Sequence, residues 1–399
     1  MADVAVVLDQ FPRLSERFLY RDFAALEAAG LELCILASKP GATDVVEADS
    51  WKAHYFRGPV KSIGLHAKYL FRRPSIYLSS LFRLLPGYRF NLGKAWMRLS
   101  MALCFADALQ KQNCRLIHAA FASKPAEVAM MAADFSKIPF SFSAHARDIF
   151  VEGGDLSRKL AKAQFVLTCT AYNIPVLQRS AAPDDSPKIK HIYHSHDFSD
   201  ALCNCSQCSG PFHILSIGRL VPKKGFDTLI DALALLKKEG LDFRCEIVGD
   251  GPLAGDLERQ IVELGLSEEV SCLGRLAGPP LDAAFERADA FALACRQTSD
   301  GDMDGIPNVL VEAASMGLPL VSTQVSGIPE LIQHGENGLL VPSNDPPALS
   351  AALHSLAEQP ALRQAFATAG NARAKQMFNR EVNGRAFAAV FEKALEGAS

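Results

Sequence analysis

The sequence predicts an α/β protein built from two doubly wound, Rossmann-like domains. Three observations carry that expectation. The chain has 399 residues, which exceeds one ordinary domain and suits two of similar size. Short apolar runs rich in β-branched residues alternate with amphipathic helical patterns, the signature of parallel strands covered by helices. The alternation runs twice, on either side of a polar stretch without periodicity. In the first half, strands are expected at Val4–Leu8, Leu33–Ala37, Leu116–Ala120, Phe140–Ser143 and Phe165–Cys169, each bounded by polar or Pro/Gly punctuation. In the second half they are expected at His213–Ile217, Arg244–Val248, Val270–Leu273, Ala290–Ala294 and Leu320–Thr323, with helices such as Asp227–Glu239 and Leu253–Leu264 between them. The domain plan is therefore 1–196, a linker at 197–211, a second domain at 212–378, and a terminal helix at 379–399 that should pack back on the first domain. A cleft between the two domains is the expected ligand site.

Composition narrows the class. Hydrophobic residues make up 49% and charged residues 21%, enough apolar material for two cores and too much for extensive disorder. A net charge of −3 points to neither a nucleic-acid binder nor an acidic-tail protein. Ten cysteines in a chain this long do not make a secreted disulfide scaffold, so buried thiols in a reducing compartment, the cytoplasm, are expected. The start MADVAVVLDQ carries acid rather than a basic leader, and no run of 18 uncharged apolar residues occurs, so the chain reads as neither exported nor membrane-spanning.

Two motifs lie where doubly wound sheets bind ligands, after the C-terminal ends of strands. The first is SIGRLVPKKG, Ser216 to Gly225. Gly218 permits a close turn, while Arg219 and Lys224 offer two cations to whatever occupies the strand ends, with a diphosphate as the natural guest. The second is DGDMDGIPNVLVEAASMGLP, Asp300 to Pro319, which should enter a helix at about Pro307. A helix start after Gly305 presents free N–H groups to phosphate. Asp304 would sit at the mouth of that helix and Glu312 about 12 Å along its axis, placing two carboxylates to grip sugar hydroxyls at opposite ends of an extended ligand. The apolar neighbours Val309–Val311 and Ala313–Ala314 bury this helix, and a buried carboxylate needs a partner.

These residues resemble glycosyltransferase family 4 of the GT-B fold, most nearly the bacterial exopolysaccharide and colanic-acid-type transferases. FPRLSERFL (Phe11–Leu19), FSAHARDIF (Phe142–Phe150), GRLVPKKGFDTLI (Gly218–Ile230), and the Asp304–Glu312 stretch followed by GLPLVSTQVSGIPELI (Gly317–Ile332) carry the resemblance. It implies a retaining, nucleotide-sugar-dependent transfer of a hexosyl group. Arg219 and Lys224 would neutralise the diphosphate, Glu312 would bind the ribose hydroxyls, and backbone at Gly305 and Ile306 would touch phosphate. The chain at Arg275 and Leu276 would face the base. His145 and Asp304 would act beside the donor sugar. Retention would follow from front-face attack, with the leaving phosphate taking the acceptor's proton. The chain departs from the family in having Asp304 where a glutamate is usual and Phe11–Glu16 where many members have a glycine-rich loop. Ser15 and Glu16 are accordingly the expected acceptor-side or phosphate-side residues.

Charge in the leaving-group site also bears on cofactors. With Arg219, Lys224 and the helix start answering the diphosphate, no divalent metal is required, and the Asp300/Asp302 pair is read as solvated acid rather than a cation site. The expected cofactor list is empty. Two other classes share the donor grip: a GT-B-fold sugar-nucleotide epimerase, which turns over donor without acceptor, and a non-catalytic nucleotide-sugar-binding protein, which binds without turnover.

Two features lie outside the resemblance. His194, His196, Cys203, Cys205 and Cys208 could form a zinc site, but their spacing is not a standard one and a free-thiol loop is the preferred reading. Residues 50–106 contain no acid and ten Lys/Arg, namely Lys52, Arg57, Lys61, Lys68, Arg72, Arg73, Arg83, Arg89, Lys94 and Arg98. They are interleaved with Tyr69, Leu70, Phe71, Tyr77, Leu78, Leu81, Phe82, Leu84 and Leu85. That mixture suits an anionic membrane surface and a lipid-linked acceptor, at the inner face of the cytoplasmic membrane.

Overall fold

The computed structural model describes residues 2–13, 16–41, 48, 50–88, 91–198 and 210–397. Contacts divide the chain into two compact units. Unit 1 comprises 1–169, 173–195 and 380–399; unit 2 comprises 170–172 and 196–379.

Unit 1 is built on seven parallel strands: β1 (Val4–Phe11), β2 (Leu33–Pro40), β3 (Ala53–Tyr55), β4 (Leu116–Ala119), β5 (Phe140–Ala144), β6 (Val166–Thr168) and β7 (Ile189–His191). Their spatial order is β3-β2-β1-β4-β5-β6-β7. Residues alternate across a strand, and in β1 both alternations are apolar. Ala5 and Val7 enter one buried cluster with Leu99, Leu103, Phe135 and Phe142, while Val4, Val6 and Leu8 enter another with Phe23, Ile35 and Phe391. A sheet buried on both faces reads as a continuous hydrophobic run rather than an alternating one. The last helix, Arg380–Glu396, closes the second face through fully buried Phe391. Gly384 lets it approach helix Arg17–Ala28: a Cβ there would come within 3.2 Å of the Ala25 methyl.

Between β3 and β4 lie helices Ile63–Arg72, Pro74–Tyr88 and Leu92–Gln112. Buried His66 ties them together, its Nδ1 paired with the Tyr77 hydroxyl at 2.8 Å, its Nε2 with Ser100 Oγ at 2.9 Å, and its ring stacked on Trp96. Burial lowers the His66 pKa to about 4, so the ring stays neutral and serves structure. Pro74 opens the second of these helices, where its missing N–H costs nothing.

Unit 2 carries β8 (Phe212–Ile217), β9 (Phe243–Val248), β10 (Val270–Gly274), β11 (Ala290–Leu293), β12 (Leu320–Thr323) and β13 (Gly338–Val341), all parallel, in the order β10-β9-β8-β11-β12-β13. Numbered within the unit, this is 3-2-1-4-5-6, the Rossmann order, whose direction reverses between β8 and β11. Unit 1 reverses in the same way between β1 and β4. Ligands bind outside the carboxyl ends of the strands at such a reversal. Among the described residues, no helix is long and apolar enough to cross a membrane.

Candidate functional site

In unit 2 the reversal point is formed by the loops after β8 and β11, the two segments that carry the motifs. Both close approaches there depend on glycine. Gly249 (φ +146°) passes over the loop so tightly that a Cβ would lie 1.9 Å from the Gly218 carbonyl oxygen. Gly225 (φ +67°) would put a Cβ 1.8 Å from the Ala294 carbonyl oxygen. These contacts hold the single 3₁₀ turn Pro222–Lys224 against the end of β11.

The turn directs two lysines at two aspartates. Lys224 Nζ lies 2.7 Å from Asp304 Oδ2, and Lys223 Nζ bridges Asp302 Oδ1 at 3.1 Å and Asp304 Oδ1 at 3.2 Å. Only 13% of the Lys224 side chain and 18% of that of Asp304 are exposed. Burial opposes both charges, yet each sustains the other. Asp304 outweighs burial and raises the Lys224 pKa, with a contribution from Glu312, while Lys224 and Lys223 outweigh burial and lower that of Asp304.

Arg219 is exposed, while Lys224 is inside the ion-pair cluster. Two ammonium groups hold the Asp304 carboxylate. One expectation is corrected: Asp302 is not a solvated acid, because Lys223 engages it; Asp300 accepts from the Thr298 hydroxyl at 2.5 Å. A carboxylate brought into a packed loop is retained only with a compensating charge. Lys223 was not singled out from sequence, since nothing in a Lys-Lys pair says which side chains turn inward.

Pro307 caps the helix Asn308–Ser315 rather than opening it, so Gly305 and Ile306 stand just before the helix start. Gly305 is tightly placed, as a Cβ there would lie 3.1 Å from the Thr170 methyl. Val309, Leu310, Val311, Ala313 and Ala314 are buried, and half-buried Glu312 is near enough to act on Lys224. Arg275, exposed, and Leu276, half-buried, follow β10 on the same carboxyl edge.

In unit 1, His145 follows β5 and precedes the short helix Ala146–Phe150; its backbone N–H donates to Asp148 Oδ1 at 2.8 Å. Its ring packs on Phe121 and Phe18, with centroids 5.0 and 5.4 Å away, and lies parallel to His194 at 5.3 Å. Burial, reinforced by His194 and His118, holds the His145 pKa well below 6.5, so it is a neutral imidazole. Glu16 pairs with Arg13 at 2.8 Å; burial raises its pKa while Arg13 opposes the rise. Ser15 lies outside the described residues, as do Cys203, Cys205 and Cys208. His194 belongs to unit 1 and His196 to unit 2, where its Nε2 lies 3.4 Å from Ser315 Oγ.

Comparison with known proteins bears on the motif-bearing unit. Residues 211–359 match the family model described as glycosyl transferases group 1. This segment is similar to the glycosyl transferases group 1 family over well under half of the chain. Relatives of the chain include the amylovoran biosynthesis glycosyltransferase AmsK of Erwinia amylovora, 37% identical over 183 residues that cover 46% of this chain and 45% of that protein. The putative colanic acid biosynthesis glycosyltransferase WcaL of Escherichia coli is 36% identical over 178 residues, 43% of this chain and 44% of its own. The chain thus spans less than half the length of these curated relatives. Among solved structures, HepE of Anabaena in complex with UDP and glucose aligns with a TM-score of 0.71 over 98% of this chain and all of its own, at 19% identity. Sucrose-phosphate synthase of Thermosynechococcus elongatus aligns with a TM-score of 0.74 over the full length of both, at 18% identity. Together with the two doubly wound sheets, these likenesses establish the fold class as GT-B.

Proposed function

We propose that the protein is a retaining glycosyltransferase of polysaccharide biosynthesis that moves a hexosyl group from a nucleoside-diphosphate donor to a lipid-linked glycan. The observation that carries this reading is the cluster of Lys223, Lys224, Asp302 and Asp304 at the reversal point of unit 2, with exposed Arg219 and the helix bearing Glu312 beside it. In the reaction, the bond from the anomeric carbon to the diphosphate oxygen breaks and its electron pair leaves with the diphosphate. The acceptor hydroxyl attacks on the same face, and its proton passes to the departing phosphate oxygen. Arg219 and Lys224 stabilise the charge growing on the diphosphate, and the N–H groups at Gly305 and Ile306 add to it. Asp304 holds the lysines in place and meets the sugar. Glu312 accepts the ribose hydroxyls, Arg275 and Leu276 border the base, and neutral His145 hydrogen-bonds the donor sugar. Glu16, with Ser15, faces the acceptor side. The names of AmsK and WcaL support the exopolysaccharide setting. Incubating the full chain with a panel of nucleotide-sugars and following both thermal stabilisation and sugar transfer tests the proposal. Stabilisation without transfer to any glycan acceptor would favour a binding protein, and acceptor-independent donor turnover an epimerase.

Because lysine and arginine supply the leaving-group charge, transfer is expected to continue at an undiminished rate in excess chelator. Complete loss that added Mg²⁺ restores would transfer the role to a metal and refute this part of the proposal.

The same reading includes docking on an anionic membrane through residues 50–106. Phe71 (84% exposed) and Phe82 (66%) stand out from helices Ile63–Arg72 and Pro74–Tyr88, joined by exposed Leu70, Leu78, Trp96 and Met97. The sequence expectation needs trimming, however. Tyr69, Tyr77 and Leu84 turn inward, because the helical repeat carries them to the core face. Lys68, Arg83 and Arg98 are paired with Asp107, Asp134 and Glu127 of the same unit. Lys52, Arg57, Lys61, Arg72 and Lys94 remain exposed, and Arg89 lies outside the described residues. At about 1 kcal/mol per basic residue near an anionic surface, this set suffices for reversible docking. The chain is expected to sediment with anionic vesicles at low salt and to be released at high salt, with Phe71→Ser and Phe82→Ser together weakening binding. No sedimentation at low salt would exclude docking and leave a soluble acceptor.

A further inference from the structure

Three side chains converge at the carboxyl edge of the unit 1 sheet from three successive strands. His145 follows β5, Cys169 follows β6 and His194 follows β7. One ligating atom of each lies within 4.8 Å of those of the other two. They line a cavity of about 20 Å³ together with Asp22 and Thr168. That volume holds one water molecule or one ion. Cys169 is a free thiol. His194 Nδ1 is 3.6 Å from Asp22 Oδ2.

The geometry points to a binding site for a single thiophilic divalent cation, Zn²⁺ or a congener, held by Cys169 Sγ and one nitrogen each of His145 and His194, with Asp22 behind His194.

The donor set selects the ion. One thiolate and two imidazoles favour zinc-like metals over Mg²⁺ or Ca²⁺, which take oxygen ligands. Three protein ligands leave the fourth tetrahedral position without a protein ligand. Asp22, meeting Nδ1 of His194, occupies the place of the carboxylate that commonly orients a metal-bound histidine and leaves Nε2 for the ion. Bonds of about 2.0–2.3 Å place tetrahedral ligand atoms about 3.4–3.6 Å apart. The three atoms must therefore draw together by about 1 Å, within reach of side-chain rotation alone. Binding releases one proton to solvent, and the metal accepts one electron pair from the thiolate and one from each imidazole. The site differs from the linker cluster considered from sequence, as it uses none of Cys203, Cys205 and Cys208. A metal here ties up the ring assigned to the donor sugar, so Zn²⁺ is expected to inhibit transfer. That last consequence rests on the proposed role of His145; metal binding itself does not.

The test uses the full chain, stripped with chelator and titrated with Co²⁺. One equivalent should bind with a thiolate-to-cobalt charge-transfer band that Zn²⁺ abolishes by displacement. The band should vanish in Cys169→Ser, and Asp22→Asn should weaken affinity on the order of 10-fold. It should persist when Cys203, Cys205 and Cys208 are all changed to serine. Zn²⁺ should also protect Cys169 of the unmodified chain from alkylation, read by mass spectrometry, which requires no variant to fold. A band that survives Cys169→Ser, its absence from the unmodified chain, or alkylation of Cys169 unaffected by Zn²⁺ would overturn the assignment whether or not the protein transfers sugar.

Discussion

Lys224→Ala is expected to slow sugar transfer on the order of 10²-fold or more, the usual cost of removing one preorganised charge from a site where negative charge develops. The ion-pair cluster adds a second expected effect. Lys224 and Asp304 are mostly enclosed, and removing the ammonium leaves the carboxylate with Lys223 alone at 3.2 Å. Breaking a buried pair from one side costs up to about 3–5 kcal/mol, reduced here by the remaining lysine and by partial exposure. Melting temperature should therefore fall along with rate. The double variant Lys224→Ala/Asp304→Ala separates the two effects, since it removes the stranded charge and should recover melting temperature without recovering rate. Acid sensitivity should shift too. Burial raises the Asp304 pKa and Lys224 and Lys223 more than reverse this, so the folded value lies below 3.8. The stability Asp304 contributes is present above its unfolded value and is lost as pH falls through the folded one. Without Lys224 the folded value rises and the loss begins at higher pH. Near-normal transfer by a folded Lys224→Ala protein would remove Lys224 from the site.

The sheets were largely legible because parallel strands covered on both faces must be apolar throughout, as Val4–Leu8 and Ala290–Ala294 are. The strands that escaped notice are short edge strands. β3 and β7 have three residues each, β7 reads Ile-Lys-His, and β13 begins on a glycine, so neither run length nor composition separates them from loops. In the site, the position of Lys224 follows from the motif and its glycines, but its engagement with Asp304, 80 residues on, is a tertiary fact without a local signal. The same holds for Cys169 and His194. Each is an ordinary residue after a strand, and only strand order brings them to His145. The one available hint was position, since all three follow the carboxyl ends of strands, where such sheets gather function. Charge and aromatic content along residues 63–98 overstate the exposed face, because helical phase decides which side chains reach solvent.

His145→Ala and Glu312→Gln are expected to separate chemistry from binding. Neutral His145 carries no charge to hold the diphosphate; in the proposed reaction it contributes a directed hydrogen bond to the sugar, which matters most as the anomeric carbon changes shape. Its removal should depress turnover on the order of 10²-fold and change donor affinity little. The local fold should persist, because Asp148 accepts from the backbone N–H of residue 145, which alanine retains. Since burial, with His194 and His118, keeps the ring neutral well below 6.5, turnover in the unmodified protein should show no His145 ionisation as pH passes through 6.5. Glu312→Gln, by contrast, keeps the shape and removes the charge behind the ribose hydrogen bonds that the proposed reaction assigns to it. A bond to a charged group contributes about 1.5–3 kcal/mol, so donor affinity should fall roughly 10- to 100-fold with turnover at saturating donor nearly kept. Donor affinity from calorimetry and turnover from initial rates decide the matter for both variants. If His145→Ala loses affinity while Glu312→Gln loses turnover, the two assignments are reversed, and His145 belongs to the donor grip rather than to the reacting sugar.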